Sequence, residues 1–221
     1  MKYTFCQLTL IAIFVLYYNA TAGQSYYPLE SGQTWTYNFI DYATSDTNRT
    51  NIEAMTSGKH HREVWATTEI TFELKKDSIV NGHTYKVIVN KQNPFDVSLI
   101  REDDGNFFML NNETFKEENF LKTAVNVEDL WLDYENAEET IATLYMVIAK
   151  EKSMQIKGKT FNDVIGIGKI TASVKQIVAV LESDNPFIPV TYYAKGIGMI
   201  YSYAPYPLGD RYSDLEIFIE D

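Results

Sequence analysis

The sequence predicts an all-β fold, or β with one or two short helices, arranged as an antiparallel meander that curves into a sheet or half-barrel. Three observations predict it. Apolar and polar residues alternate with period two through most of the chain, the spacing of a half-buried strand. The runs are filled by Thr, Tyr, Phe, Val and Ile, which suit a pleated surface. Short Gly-containing turns separate neighbouring runs, as antiparallel hairpins require.

The elements follow in chain order. Residues 1–22 read as a signal peptide. Lys2 precedes an apolar run from Leu8 to Tyr18, and Ala20-Thr21-Ala22 supplies a small-residue cleavage site. The run is too short to span a bilayer, which needs roughly 20 apolar residues. Residues 23–221 are then expected to form one β-rich domain, soluble and without a membrane span after cleavage. In 33–42, Trp35, Tyr37 and Phe39 share a face. In 63–75 the shared face is Val64, Ala66, Thr68, Ile70, Phe72 and Leu74, and in 84–91 it is Tyr85, Val87 and Val89. Further strand runs are 97–103, 106–111, 140–150, 164–174, 176–182, 189–195, 197–203 and 212–220. Asn81-Gly82 and Asp104-Gly105 are hairpin signals, because a type I′ turn needs positive φ at both central residues. Lys157-Gly158 and Asn185-Pro186 are weaker turn marks. Thr114 to Glu117 has capping-box spacing and predicts a short helix to about Lys122. The polar stretch 43–62 reads as a long loop.

An internal echo runs through this pattern. An aromatic strand at Trp35 is followed by Gly82-His83-Thr84-Tyr85. A second, at Trp131, is followed by Gly158-Lys159-Thr160-Phe161.

Charge and cysteine content remove several function classes. The chain has 19 basic and 30 acidic residues and a net charge of −11. Lys2 is the leader's only charged residue, so cleavage brings the net charge to −12. That balance opposes a nucleic-acid surface, which needs clustered Lys and Arg, and charge-driven binding to anionic membranes. The single cysteine, Cys6, lies in the leader. The mature part therefore has no disulfide, thiol chemistry or cysteine metal site, and its 199 remaining residues must be held by core and sheet.

Candidate chemistry is sparse. His60-His61 and His83 lie in a predicted loop and turn, without the converging scaffold of a metal site. Glu102, Asp103 and Asp104 lead into a turn, and Glu128, Asp129, Asp133, Glu135, Glu138 and Glu139 form an acidic stretch. Such carboxylates read either as a solvated face or as a pair for glycoside hydrolysis. There is no Gly-x-Ser-x-Gly elbow. Ser78 and His83 are close in sequence only. Gly196-Ile197-Gly198 leads into a strand rather than a helix, so it is not a nucleotide fingerprint. No cofactor and no metal are expected. Aromatic residues remain, and Tyr faces make ligand platforms with a polar handle. The candidate ligand-binding residues are Trp35, Tyr37, Phe39, Tyr193, Tyr201 and Tyr203; ordinary sheet packing is the competing explanation.

Three segments, Tyr26–Tyr37 (YYPLESGQTWTY), Gly158–Ile165 (GKTFNDVI) and Thr191–Tyr201 (TYYAKGIGMIY), occur in this order. Together they resemble a broad group of exported, functionally uncharacterised β-rich proteins of Bacteroidetes type, similar to the LolA-like half-barrels. The resemblance implies a curved sheet with an apolar concave face, and carries over no ligand and no functional residue. The expected function is that of an exported, secreted or periplasmic, non-catalytic module binding an apolar small molecule or an exported protein partner on that face. The alternatives are a carboxylate-dependent enzyme acting on glycans and a purely structural or interaction domain.

Overall fold

The computed structural model describes residues 25–30, 32–44, 63–111, 114–135, 140–183, 188–208 and 211–220. The predicted leader, most of the 43–62 loop with His60 and His61, and Asn185-Pro186 lie outside these residues. The described strands are β1 (Thr34–Thr44), β2 (Glu63–Leu74), β3 (Ser78–Val80), β4 (His83–Asn90), β5 (Val97–Asp103), β6 (Asn106–Leu110) and β7 (Glu117–Lys122). They continue with β8 (Leu130–Tyr134), β9 (Ile141–Ile156), β10 (Lys159–Ser173), β11 (Val190–Ala194), β12 (Gly198–Leu208) and β13 (Arg211–Ile219). One helix, α1 (Val174–Leu181), follows β10.

All pairings are antiparallel, in the order β7-β6-β5-β4-β2-β1-β13-β12-β11-β10-β9-β8, with β3 bonded to β4. The expected meander is therefore present, and it curls further than a half-barrel, into a nearly closed barrel. The first and last strands close it, in register from Tyr37 opposite Ile219 to Thr44 opposite Tyr212. The break falls mid-chain, between β7 and β8. Side chains bridge it: Trp131 Nε1 donates to Asn119 O at 2.7 Å, Lys116 pairs with Asp133 at 2.6 Å, and Lys169 with Glu118 at 2.5 Å.

Three hairpin turns show the φ signature that Asn-Gly and Asp-Gly predict. Asn81 and Gly82 have φ of 51° and 81°, Asp104 and Gly105 48° and 73°, and Lys157 and Gly158 50° and 82°. The Lys157 turn is as well formed as the other two, although lysine is a poorer resident of that region.

Two expectations are corrected. The stretch from Thr114 is not helical: Phe115 has φ 55° and its N–H bonds Asn111 O at 2.8 Å, closing a turn, after which β7 begins. Conversely, 176–182 is not a strand. Ser173 caps α1 in a capping box with Gln176, and Val174, Ile177, Val178 and Leu181 repeat at helical spacing. Ile177 is buried against Ala142 and Leu144 of β9.

The sequence echo falls at matching places. With β3 set aside, β1 to β7 and β8 to β13 are two six-strand meanders. Trp35 and Trp131 lie on the first strand of each, and Gly82 and Gly158 open the third. Each meander also sets a carboxylate on its sixth strand against a cation: Glu117 with Arg101, and Glu216 with Lys157.

Candidate functional site

Antiparallel pairing puts the start of β1, the end of β7, the β5–β6 turn and the β11–β12 turn at one end of the barrel. The segment Ser25–Glu30 belongs to no strand and crosses this mouth. Hydrogen bonds at its start tie it to the barrel: Gly196 N donates to Ser25 O at 2.7 Å, and Ser25 Oγ donates to Glu102 Oε2 at 2.9 Å. Tyr27 is thereby inserted among four rings, with centroids at 5.7 Å to Trp35, 6.2 Å to Phe120, 6.4 Å to Phe107 and 6.5 Å to Tyr193. Tilted and edge-on pairs at these spacings are the favoured aromatic geometry.

The polar tips are anchored to backbone. Trp35 Nε1 donates to Ile197 O at 2.8 Å, and Tyr37 OH donates to Met199 O at 3.1 Å. Burial pushes the Tyr27 phenol up to about 12, and raises Tyr193 and Tyr37 too, Tyr37 also through its Tyr27 and Tyr193 neighbours. The three phenols stay neutral, so this end of the interior is an uncharged aromatic lining. Gly198, at φ 104°, carries the strand past it: a Cβ there would lie 3.7 Å from Trp35 and 3.8 Å from both Pro28 and Tyr27.

The six predicted binding residues divide between two faces. Trp35, Tyr37 and Tyr193 are buried together in the interior, and half-buried Phe39 packs on the same core. Tyr201 and Tyr203 lie in a separate cluster with Phe161, Val164, Ala194 and Ile200. A bulge makes the division: Tyr192 pairs with Tyr201 but Tyr193 pairs with Met199, leaving Ile200 as the extra residue. Strict alternation misplaces everything beyond it. Tyr27, Phe107 and Phe120 complete this lining and are not among those six. Tyr27 had a signal in its aromatic motif, Phe107 lay in a predicted strand, and Phe120 was concealed by the expected helix.

On the outer face, the tip of the β9–β10 hairpin lies over β12 and β13. Glu216 is only 4% exposed there and accepts from Tyr42 OH at 2.8 Å and Lys157 Nζ at 3.0 Å. Burial alone would raise its carboxyl, but hydrogen bonds from Lys157, Tyr42 and Tyr201 and the Lys157 charge hold it below the usual glutamate value. A cleft of about 150 Å³ opens beside it, lined by Ile156, Phe161, Ile200 and Phe218 with Lys157 and Glu220 at the edge.

The acidic stretch has local structural partners. Asp129 accepts from Asn126 N, Asp133 pairs with Lys116, and Glu135 accepts from Thr143 Oγ1. Glu138 and Glu139 lie outside the described residues. Asp103 pairs with Arg101, and Glu102 holds Ser25. His83 is exposed where β4 begins, paired with Val80, whereas Ser78 pairs with Tyr85. Among the described residues, no three His, Cys, Asp or Glu side chains converge as a metal site, and no helix is long and apolar enough to cross a membrane.

No family model matches the chain, and no curated protein does. Two solved structures are similar. One, from Bacteroides fragilis, is described as exported with a YmcC-like fold; it has a TM-score of 0.43 at 12% identity, with 90% of this chain and 100% of that chain covered. The other, from Parabacteroides distasonis, is described as a lipoprotein; it has a TM-score of 0.38 at 12% identity, with 90% and 98% covered.

Proposed function

We propose that this chain is an exported, non-catalytic binding module whose interior aromatic face receives an apolar group, with its own Tyr27 occupying that place when no ligand does. The carrying observation is the position of Tyr27. A ring from a segment outside every strand sits inside the barrel, touching Trp35, Phe107, Phe120 and Tyr193. A displaceable residue of this kind is an internal competitor: it keeps apolar surface from water and yields to a ligand that buries more. The export half of the reading rests on the leader, and N-terminal sequencing of the secreted protein should begin at Gly23.

The binding half is tested by titrating a neutral fluorescent probe, N-phenyl-1-naphthylamine, into the wild type and Tyr27→Ala. Removing the competitor should tighten binding by about tenfold or more. A folded Tyr27→Ala protein that leaves the probe's emission unchanged contradicts the proposal and favours a purely structural barrel. If the alanine variant unfolds, Glu102→Ala, which removes the Ser25 hydrogen bond and loosens the segment while keeping Tyr27, should shift probe binding in the same direction.

A further inference from the structure

The barrel changes character at the end away from the aromatic mouth, where a half-exposed Lys169 borders the buried core. On β9 and β10, Tyr145 faces Lys169 and Thr143 faces Thr171, the two threonine hydroxyls lying 2.7 Å apart. Tyr145 packs within the main core and stacks on Trp131, with centroids 5.2 Å apart and planes 11° from parallel. It is only 1% exposed, and its hydroxyl has no hydrogen-bond partner among the described residues.

An unmet buried hydroxyl is costly, and folded proteins satisfy nearly all such groups. Phenylalanine would fill the same volume and stack on Trp131 without that penalty, so the hydroxyl calls for a partner beyond the described residues. Lys169 shows what kind. Its Nζ lies 5.6 Å from the centre of the Tyr145 ring and pairs with Glu118 at 2.5 Å. An ammonium has three donors, and Glu118 engages one. A phenol hydroxyl and an ammonium with free donors, beside an apolar wall, together favour an acceptor that carries negative charge.

We propose that the interior ligand is an amphipathic carboxylate: an apolar body lying on the aromatic lining, and an anionic end accepting from the Tyr145 hydroxyl and the Lys169 ammonium. This rests on the binding function proposed above and specifies its substrate class. The ligand class is that of a medium-chain fatty acid or an arylalkanoic acid.

The test compares dodecanoic acid with its methyl ester as displacers of N-phenyl-1-naphthylamine, in Tyr27→Ala and in the doubly substituted Tyr27→Ala/Tyr145→Phe and Tyr27→Ala/Lys169→Met proteins. In Tyr27→Ala the acid should displace the probe at least about tenfold better than the ester, the scale of one charge-assisted hydrogen bond. Each second substitution should abolish most of that preference while leaving the ester unchanged. Acid and ester displacing equally in all three proteins overturns the carboxylate assignment and leaves an internal water as the partner of Tyr145, with apolar binding intact. A probe that binds none of them overturns the binding function itself.

Discussion

Gly166 and Tyr192 illustrate how single atoms set this sheet. A Cβ on Gly166 would lie 2.7 Å from Tyr192 Cε1 and 3.2 Å from Ala149 Cβ, so the Tyr192 ring occupies the space over the glycine opposite it. Gly166→Ala should destabilise the protein by about 1–3 kcal/mol in chemical denaturation, and trimming the ring in Gly166→Ala/Tyr192→Leu should recover part of the loss. Glu216 gives the pH response. Its carboxyl is held below the ordinary value of 4.5 by the Lys157, Tyr42 and Tyr201 hydrogen bonds, which outweigh burial. A lowered folded value means that its stabilisation is complete above the ordinary value and is lost as pH falls through the folded one. Thermal melts should therefore weaken below about pH 4.5 in the wild type, and Glu216→Gln should be less stable at pH 7 with a shallower decline. Equal slopes for the two proteins would remove Glu216 from that response. At this scale Trp35, Tyr37 and Phe39 were legible, because period two holds through β1. Tyr201 and Tyr203 were not, because the bulge at Ile200 leaves no mark in a run of apolar residues.

Elements were legible where turn chemistry and period agreed. Asn81-Gly82 and Asp104-Gly105 specify positive φ, and both hairpins form where they predict them. The two corrected elements show propensity and pattern in competition. Val174–Leu181 is rich in valine and reads as a strand, but its apolar residues repeat at 3.6 spacing and Ser173 and Gln176 close a capping box. Thr114–Lys122 has capping spacing as well, yet Phe120 and Leu121 supply apolar surface that pairing with β6 buries. Tertiary burial outweighs a local cap, which contributes only about 1 kcal/mol. Ser173→Ala should accordingly cost about 1 kcal/mol of stability and loosen α1 alone, seen as faster amide exchange in 174–181 with β9 and β10 unchanged.

The whole barrel is closed by the first and last of the described strands and left open between β7 and β8. Sequence alternation cannot reveal this, because both sides of the break read as ordinary strands and only the pairing of β1 with β13 decides the closure. At the break, Trp131 reaches from β8 to the Asn119 carbonyl on β7 and stacks on Tyr145. Trp131→Phe keeps a ring but loses the bridge, so amide exchange in β7 and β8 should quicken while β1 and β13 hold. The same arrangement joins the two halves of the interior: Tyr27 and the rings around it close one end, and Tyr145 and Lys169 stand beyond them. The most direct measurement of the central claim is a crystal structure of Tyr27→Ala grown with N-phenyl-1-naphthylamine. The account predicts the probe bound in the place of the missing ring, against Trp35, Phe107, Phe120 and Tyr193. Collapse of those four side chains into the space, with the probe absent or lodged only on the outer face, would contradict it.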